Sequence, residues 1–175
     1  MAHRSDAKLL KERRRADYPF YLSYRTRWFV RFYGQLAFRP DLLDRIDNDQ
    51  YSHINNSVYY HLFDSVVNAY LIQHAHLSPA NSPQIGLVVS SYAHFFSPLS
   101  FPAVLDLGLR VTKLGSSSVS YEVAVFDDGA GVPSVVGGYT HVFVNRHTRK
   151  SASVASETRA GLEKLLTDSP LPSKL

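Results

Sequence analysis

The sequence predicts an α+β domain in which an antiparallel sheet curls around one long central helix. Three observations predict it. From Asn56 or Ser57 onward, apolar residues recur at helical spacing through Tyr70. Between Ile85 and Asn145, four segments have strand-like composition and are separated by turn residues. One further aromatic segment of strand character precedes the helix. A sheet must cover one face, and the single long apolar helix is the obvious cover.

In chain order, residues 1–17 are strongly polar, and Asp6, Glu12 and Asp17 dilute the basic cluster Lys11, Arg13, Arg14 and Arg15. They read as a flexible, solvated basic arm. Tyr18 to Trp28 carries Tyr21, Ser23, Tyr24, Thr26 and Trp28, the company of a strand. Phe29 to Ile46 shows no clear period. The helix places Val58, Leu62, Val66, Ala69 and Tyr70 on one stripe, and Phe63, Val67 and Leu71 widen it, so burial on several sides is expected. Pro79, Asn81, Ser82 and Pro83 make a loop. Strands then follow over Ile85–Phe96, Ala103–Lys113, Ser117–Asp127 and Val135–Asn145. Leu114–Gly115 and Asp127–Asp128–Gly129 supply turns. Gly137–Gly138 marks a bulge or a close backbone approach. Ala155 to Leu166 reads as a terminal helix before a Pro170/Pro172 tail. The domain proper spans residues 18–150, and residues 151–175 form the C-terminal helix and tail.

Composition narrows the class. With 175 residues, 45% apolar and 19% charged, the chain suits one globular domain. It has no Cys, which excludes disulfides, thiolate metal sites and a Cys nucleophile. No apolar run approaches the ~18 residues of a membrane span, and no signal-peptide pattern is legible. A cytoplasmic protein is the default expectation, with mitochondria as the alternative because of the basic amino end. The net charge of +4 comes without a nucleic-acid-binding motif, so no nucleic-acid partner is expected. A mild positive balance suits a small polyanion such as coenzyme A.

The chemistry concentrates in Asp47 to Tyr70, DNDQYSHINNSVYYHLFDSVVNAY. Carboxylates, a histidine and two asparagines run directly into the buried helix. Acid/base groups therefore sit where the helix leaves backbone N–H groups unpaired, and such an end can hold a developing oxyanion. No metal is expected: Asp47, Asp49 and His53 lack both the glycine of a calcium loop and the helical pairing of a zinc protease. No GxSxG, P-loop or dinucleotide fingerprint is present.

The order strand, D-x-D-x-x-x-H-x-N-N, buried helix, four-stranded meander resembles the hotdog-fold thioesterases of the 4-hydroxybenzoyl-CoA thioesterase class and their fatty acyl relatives. Asp47, Asp49, His53, Asn55 and Asn56 carry the resemblance, and GLVVSSYAHFFSPL looks like the family's next strand. It covers roughly Tyr18 to Val144. Two positions depart from the family pattern. Ser52 stands where the family usually has Gly, and Phe29 to Ile46 looks like an insertion of 18 residues. That insertion is either a lineage-specific loop or retained intron sequence; a continuous transcript through it would exclude the second.

The resemblance implies an acyl-CoA thioesterase that needs no cofactor or metal and has its active sites between the subunits of a homodimer or homotetramer. It implies that Asp49 is the carboxylate that activates water or attacks the thioester. His53 would act as a base or thioester-orienting donor. Asp64, two turns into the helix beside Tyr60, sits at about the depth where another branch of the fold keeps its catalytic acid. Backbone N–H groups near Asn56, Ser57 and Val58 would hold the oxyanion, and Asn55 and Asn56 would cap the helix and form the turn or place a side-chain amide against the substrate carbonyl. Tyr59, Tyr60, Phe63, Tyr92, Phe95 and Phe96 would line the acyl tunnel or simply pack the core. Two other readings remain open at this level: a non-catalytic acyl-binding hotdog subunit, and a hotdog hydratase or dehydratase.

Overall fold

The computed structural model describes residues 2–25, 49, 51, 53–100 and 102–167. The 29–46 segment and Asp47 lie outside the described residues. A helix α1 (Ala2–Lys11) and a 3-10 turn (Arg15–Asp17) lead into β1 (Phe20–Arg25). The central helix α2 (Asn56–His74) follows, then β2 (Gln84–Phe95), β3 (Val104–Leu114), β4 (Ser118–Asp127), β5 (Val135–Asn145) and α3 (Ser156–Glu163). The five strands form one antiparallel sheet in the order β1-β3-β4-β5-β2.

The helix buries Val58, Tyr59, Leu62, Phe63, Val66, Val67, Tyr70 and Leu71. Opposite them stand Leu105, Leu107 and Leu109 of β3, Val119, Tyr121, Val123 and Val125 of β4, and Val135, Tyr139 and Phe143 of β5. Each fully buried Leu, Val or Phe contributes roughly 1.5–3 kcal/mol relative to exposure. The sheet curled on one helix is thus the hotdog arrangement the sequence leads one to expect.

The meander is shorter than expected. Only β3, β4 and β5 are consecutive neighbours, while β2 joins at the far edge beside β5. The link from Phe96 to Ala103 contains Pro98 and Pro102, which suits a crossing loop better than a tight hairpin. Phe96 and Ser97 N–H groups donate to Ser134 O, tying that loop to the start of β5. Gly137–Gly138 is a close approach and not a bulge: the register runs unbroken through both. A Cβ on Gly137 would lie 2.6 Å from the Phe63 ring, so the glycine lets α2 sit down on β5. Bulges fall instead between Val88 and Ser90 and between Val111 and Lys113.

The amino-terminal arm differs most from expectation. Leu10 is fully buried on the sheet's back face, in a second cluster with Tyr18, Ala124, Phe126 and Val136. Arg13 is also buried and pairs with Glu122 of β4. Arg15 bonds Asp106 at 2.7 Å and the Ala130 carbonyl at 2.9 Å, and lies over the Phe126 ring. The polar composition of residues 1–17 concealed a strap that covers the back of the sheet. Tyr92 packs with this second cluster and so does not face the helix side, while Phe96, just past the end of β2, packs against the cluster and also lines a cavity at the amino end of α2. At the other end, Gly161 lets α3 approach Ala75, and Tyr70 donates to the Gly161 carbonyl at 2.8 Å. No helix among the described residues is long and apolar enough to cross a membrane.

His141 of β5 is buried on the helix side, and burial lowers its pKa from the usual 6.5 to about 4. The native imidazole therefore stays neutral where the unfolded chain takes a proton. Stability should be unaffected by this group above about pH 6.5 and should fall as pH drops from there toward 4. The loss is on the order of 3 kcal/mol by the end of that window. Urea titrations across pH 4–7 check it: a His141→Phe variant should lose that part of the pH dependence, and an unchanged slope would overturn the assignment.

Candidate active site

The site begins with a five-residue turn. Asp49 N–H donates to the His53 carbonyl at 2.6 Å, and Asp49 Oδ1 accepts from Tyr51 N–H at 2.8 Å and His53 N–H at 3.1 Å. An aspartate at the head of such a turn mimics a backbone turn with its own side chain. Both bonds fall on Oδ1, and Oδ2 has no partner among the described residues. Ile54, buried in the core, donates its N–H to the Leu99 carbonyl at 2.7 Å. This fixes the turn against the loop after β2.

Asn55 then caps α2: its Oδ1 accepts from Ser57 N–H at 2.9 Å and from Ser57 Oγ at 2.8 Å. Its carbonyl accepts from Val58 N–H at 2.9 Å. The expected donor set is therefore narrowed. Ser57 and Val58 N–H groups are occupied by the cap itself, and the Val58 side chain is buried in the core. Asn56 N–H, without a partner among the described residues, is the donor left at the helix end.

These residues open on a cavity of ≈ 310 Å³ lined by Asp49, His53, Ile54, Asn56 and Tyr59, and by Phe95, Phe96, Ser97, Pro98 and Leu99 from the end of β2 and the loop after it. Polar groups of turn and helix thus share the cavity with mostly apolar residues that follow β2. Tyr59 and Phe95 meet edge to face at 5.3 Å between ring centroids. Burial pushes the Tyr59 hydroxyl up to about 12, so it remains a donor at neutral pH. His53 is exposed.

Asp64 and Tyr60 are not brought into this cavity. Both are exposed, Tyr60 one turn and Asp64 two turns further along α2, and Tyr60 meets Phe63 edge to face at 5.8 Å between ring centroids. Phe63 itself is core. Asp64 instead approaches the buried Tyr139 hydroxyl closely enough to help burial raise its pKa. The loop residues Pro98 and Leu99 were not legible as site residues, because only the Ile54–Leu99 bond brings them to the helix end.

No curated protein matches the chain. The Thioesterase superfamily matches over residues 51–134. Among solved structures, the PA5185 protein of Pseudomonas aeruginosa strain PAO1 is 36% identical over 90% of this chain and 98% of its own, with a TM-score of 0.78. Two more distant proteins share the fold. Slr0204, a 1,4-dihydroxy-2-naphthoyl-CoA thioesterase from Synechocystis, is 15% identical over 86% of this chain and all of its own, 100%, at TM-score 0.64. SAV2348 from Staphylococcus aureus, solved in complex with CoA, is 18% identical over 73% and 84%, at TM-score 0.65. The cavity residues from His53 to Leu99 fall within the matched segment, with Asp49 two residues before it, and the chain belongs to the thioesterase superfamily, in its hotdog form.

Proposed function

We propose that this protein hydrolyses an acyl-CoA thioester to the free acid and coenzyme A. The observation that carries the reading is the convergence of Asp49, His53 and the amino end of α2 on one cavity that Phe95, Phe96, Pro98 and Leu99 also line. In the proposed reaction the thioester carbonyl oxygen accepts from Asn56 N–H. Asp49 Oδ2 takes a proton from water as the water oxygen adds to the carbonyl carbon. The tetrahedral oxyanion, held at the helix end, then collapses, the C–S bond breaks, and the thiolate leaves and is protonated. Direct attack by Asp49, giving a mixed anhydride that water opens, uses the same geometry. His53, at the exposed rim, orients the thioester or supplies the leaving-group proton.

The working unit in this reading is a homodimer. Strand β2 is a long edge whose Val88 and Val89 are 52% and 59% exposed, beside an exposed Leu87. An apolar edge of unpaired backbone groups calls for a partner strand, and a second β2 related by a two-fold axis provides it. Antiparallel pairing exchanges the strand ends. Gln84 pairs with Asn145 at one end and Phe95 with Val135 at the other. The basic run after β5, with exposed Arg149 and Lys150, would then lie beside the other subunit's cavity. There it suits the phosphates of CoA.

Thiol release from short, long and aromatic acyl-CoAs tests the activity, and failure on every one of them would sink it. An Arg149→Ala/Lys150→Ala variant should raise KM for an acyl-CoA roughly 5- to 10-fold and leave that for the matching acyl-pantetheine, which lacks the nucleotide phosphates, unchanged. Equal effects on both would remove the phosphate role. A second reading, acyl binding without turnover, is favoured by one observation: Asp49 Oδ1 already has a structural task in capping the turn.

A further inference from the structure

On the helix side of the sheet, three polar rings lie together. Tyr121 of β4 pairs with Tyr139 of β5, and His141 follows two residues on, on the same face. Ring centroids are 5.5 Å apart for Tyr121–Tyr139, 5.5 Å for Tyr121–His141 and 4.8 Å for Tyr139–His141. The residues are 1%, 4% and 4% exposed. Tyr121 Oη, Tyr139 Oη and His141 Nδ1 have no hydrogen-bond partner among the described residues. Leaving one buried polar atom unpaired costs about 1–3 kcal/mol, so three in contact require a reason. The back face of the same sheet shows the contrast: there the buried Tyr18 hydroxyl is matched to Glu122 at 2.9 Å.

The position of the cluster supplies the reason. Tyr139 is the register partner of Ser91, four residues along β2 from the cavity residue Phe95, roughly 13 Å at strand rise. Asp64, the carboxylate near Tyr139, is eight residues along α2 from Asn56, roughly 12 Å at helical rise. The residues that lie between the thioester end and these three polar groups are Tyr59, Phe95 and Phe63, whose ring sits over Gly137. Gly86 of β2 lets the His141 ring pack against the strand backbone, for a Cβ there would sit 2.6 Å from Nδ1.

We propose that Tyr121, Tyr139 and His141 form the polar far end of the acyl site and take a medium-length acyl group with a hydroxyl roughly 12 Å from the thioester carbon. Two phenols and an imidazole offer donors and an acceptor together, the pattern a hydroxyl satisfies. His141 stays neutral at this depth, so it contributes hydrogen bonding and not charge. The inference rests on the proposed acyl-CoA reading and adds the class of acyl group.

The test compares ω-hydroxydecanoyl-CoA with decanoyl-CoA, for wild type and for a Tyr121→Phe/Tyr139→Phe variant. Wild type should favour the hydroxylated substrate in kcat/KM by tenfold or more. The variant should bring the ratio close to one with Tm unchanged or raised, because it removes unpaired hydroxyls. A wild-type ratio near one overturns the proposal, as does a ratio that survives in the variant or a variant whose Tm falls while the ratio holds, the mark of hydroxyls with a purely structural bond. Calorimetric binding of the same pair to the Asp49→Asn protein separates the two readings. Hydroxyl preference in binding with no turnover by wild type keeps the polar end and removes the hydrolase. Turnover without preference does the reverse.

Discussion

Replacing Asp49 with asparagine is expected to lower kcat roughly 10²- to 10⁴-fold while the protein stays folded. The substitution is chosen because Asp49 has two tasks. Its Oδ1 caps the turn through Tyr51 and His53, and an asparagine carbonyl oxygen can accept both bonds. Its Oδ2, without a partner among the described residues, is the atom proposed to take a proton or attack carbon, and an amide nitrogen does neither. Asp49→Ala removes both tasks, so it should lose activity and also about 1 kcal/mol of stability from the lost cap bonds. The two variants together separate chemistry from scaffolding: Asn should keep Tm and lose turnover, Ala should lower both. Steady-state thiol release and thermal melts on the same preparations check it. If Asn retains turnover within about threefold of wild type, well short of the general-base effect, the working carboxylate is elsewhere. Asp64 is then the next to substitute.

The sequence was most legible where period and burial agree. Val58, Leu62, Val66 and Tyr70 repeat at helical spacing because one helix must face the whole inner surface of the sheet, and all four are buried. In β4, Val119, Tyr121, Val123 and Val125 alternate cleanly for the same reason. The alternate set is not legible: Glu122, between Tyr121 and Val123, has the composition of a solvent residue, yet it is fully buried, because a distant segment supplies Arg13 and Tyr18 to meet it. Strand order was illegible for a related reason. Nothing local in GLVVSSYAHF says whether it pairs with the next strand or the last one. At the site, Asp49, His53 and Asn56 of the motif line one cavity, but spacing alone does not reveal that Asn55 consumes the Ser57 and Val58 N–H groups. Nor does it reveal that Asp64 belongs near Tyr139 and outside that cavity. Both depend on side-chain direction and on which strand lies beneath each helical turn.

The largest expected loss of stability comes from the back of the sheet. Glu122 Oε1 accepts from Arg110 Nε at 2.9 Å, Arg13 Nε at 3.0 Å and Tyr18 Oη at 2.9 Å, and Oε2 accepts from Arg110 Nη2 at 3.0 Å. Arg110 and Glu122 are 0% exposed, so water cannot take over if one partner is removed. Glu122→Gln keeps the volume but removes the charge and turns an amide donor toward guanidinium donors. Breaking a buried pair from one side costs about 3–5 kcal/mol, and Tm should fall on the order of 10 °C. Because the strap of residues 2–17 is held through Arg13 and Tyr18, the loss should appear there first, as faster amide exchange around Leu10. The cavity at the helix end lies on the opposite face, so kcat of the protein that remains folded should be unchanged. Urea titration distinguishes this from a surface effect: a midpoint shift worth less than about 1 kcal/mol, the value of an exposed pair, would mean that water reaches Glu122. A second variant separates charge from strap. Arg13→Met leaves the Arg110–Glu122 pair and the Tyr18–Glu122 bond in place, so its cost should be well below that of Glu122→Gln. Equal costs would assign the stability to the strap and not to the carboxylate that receives it.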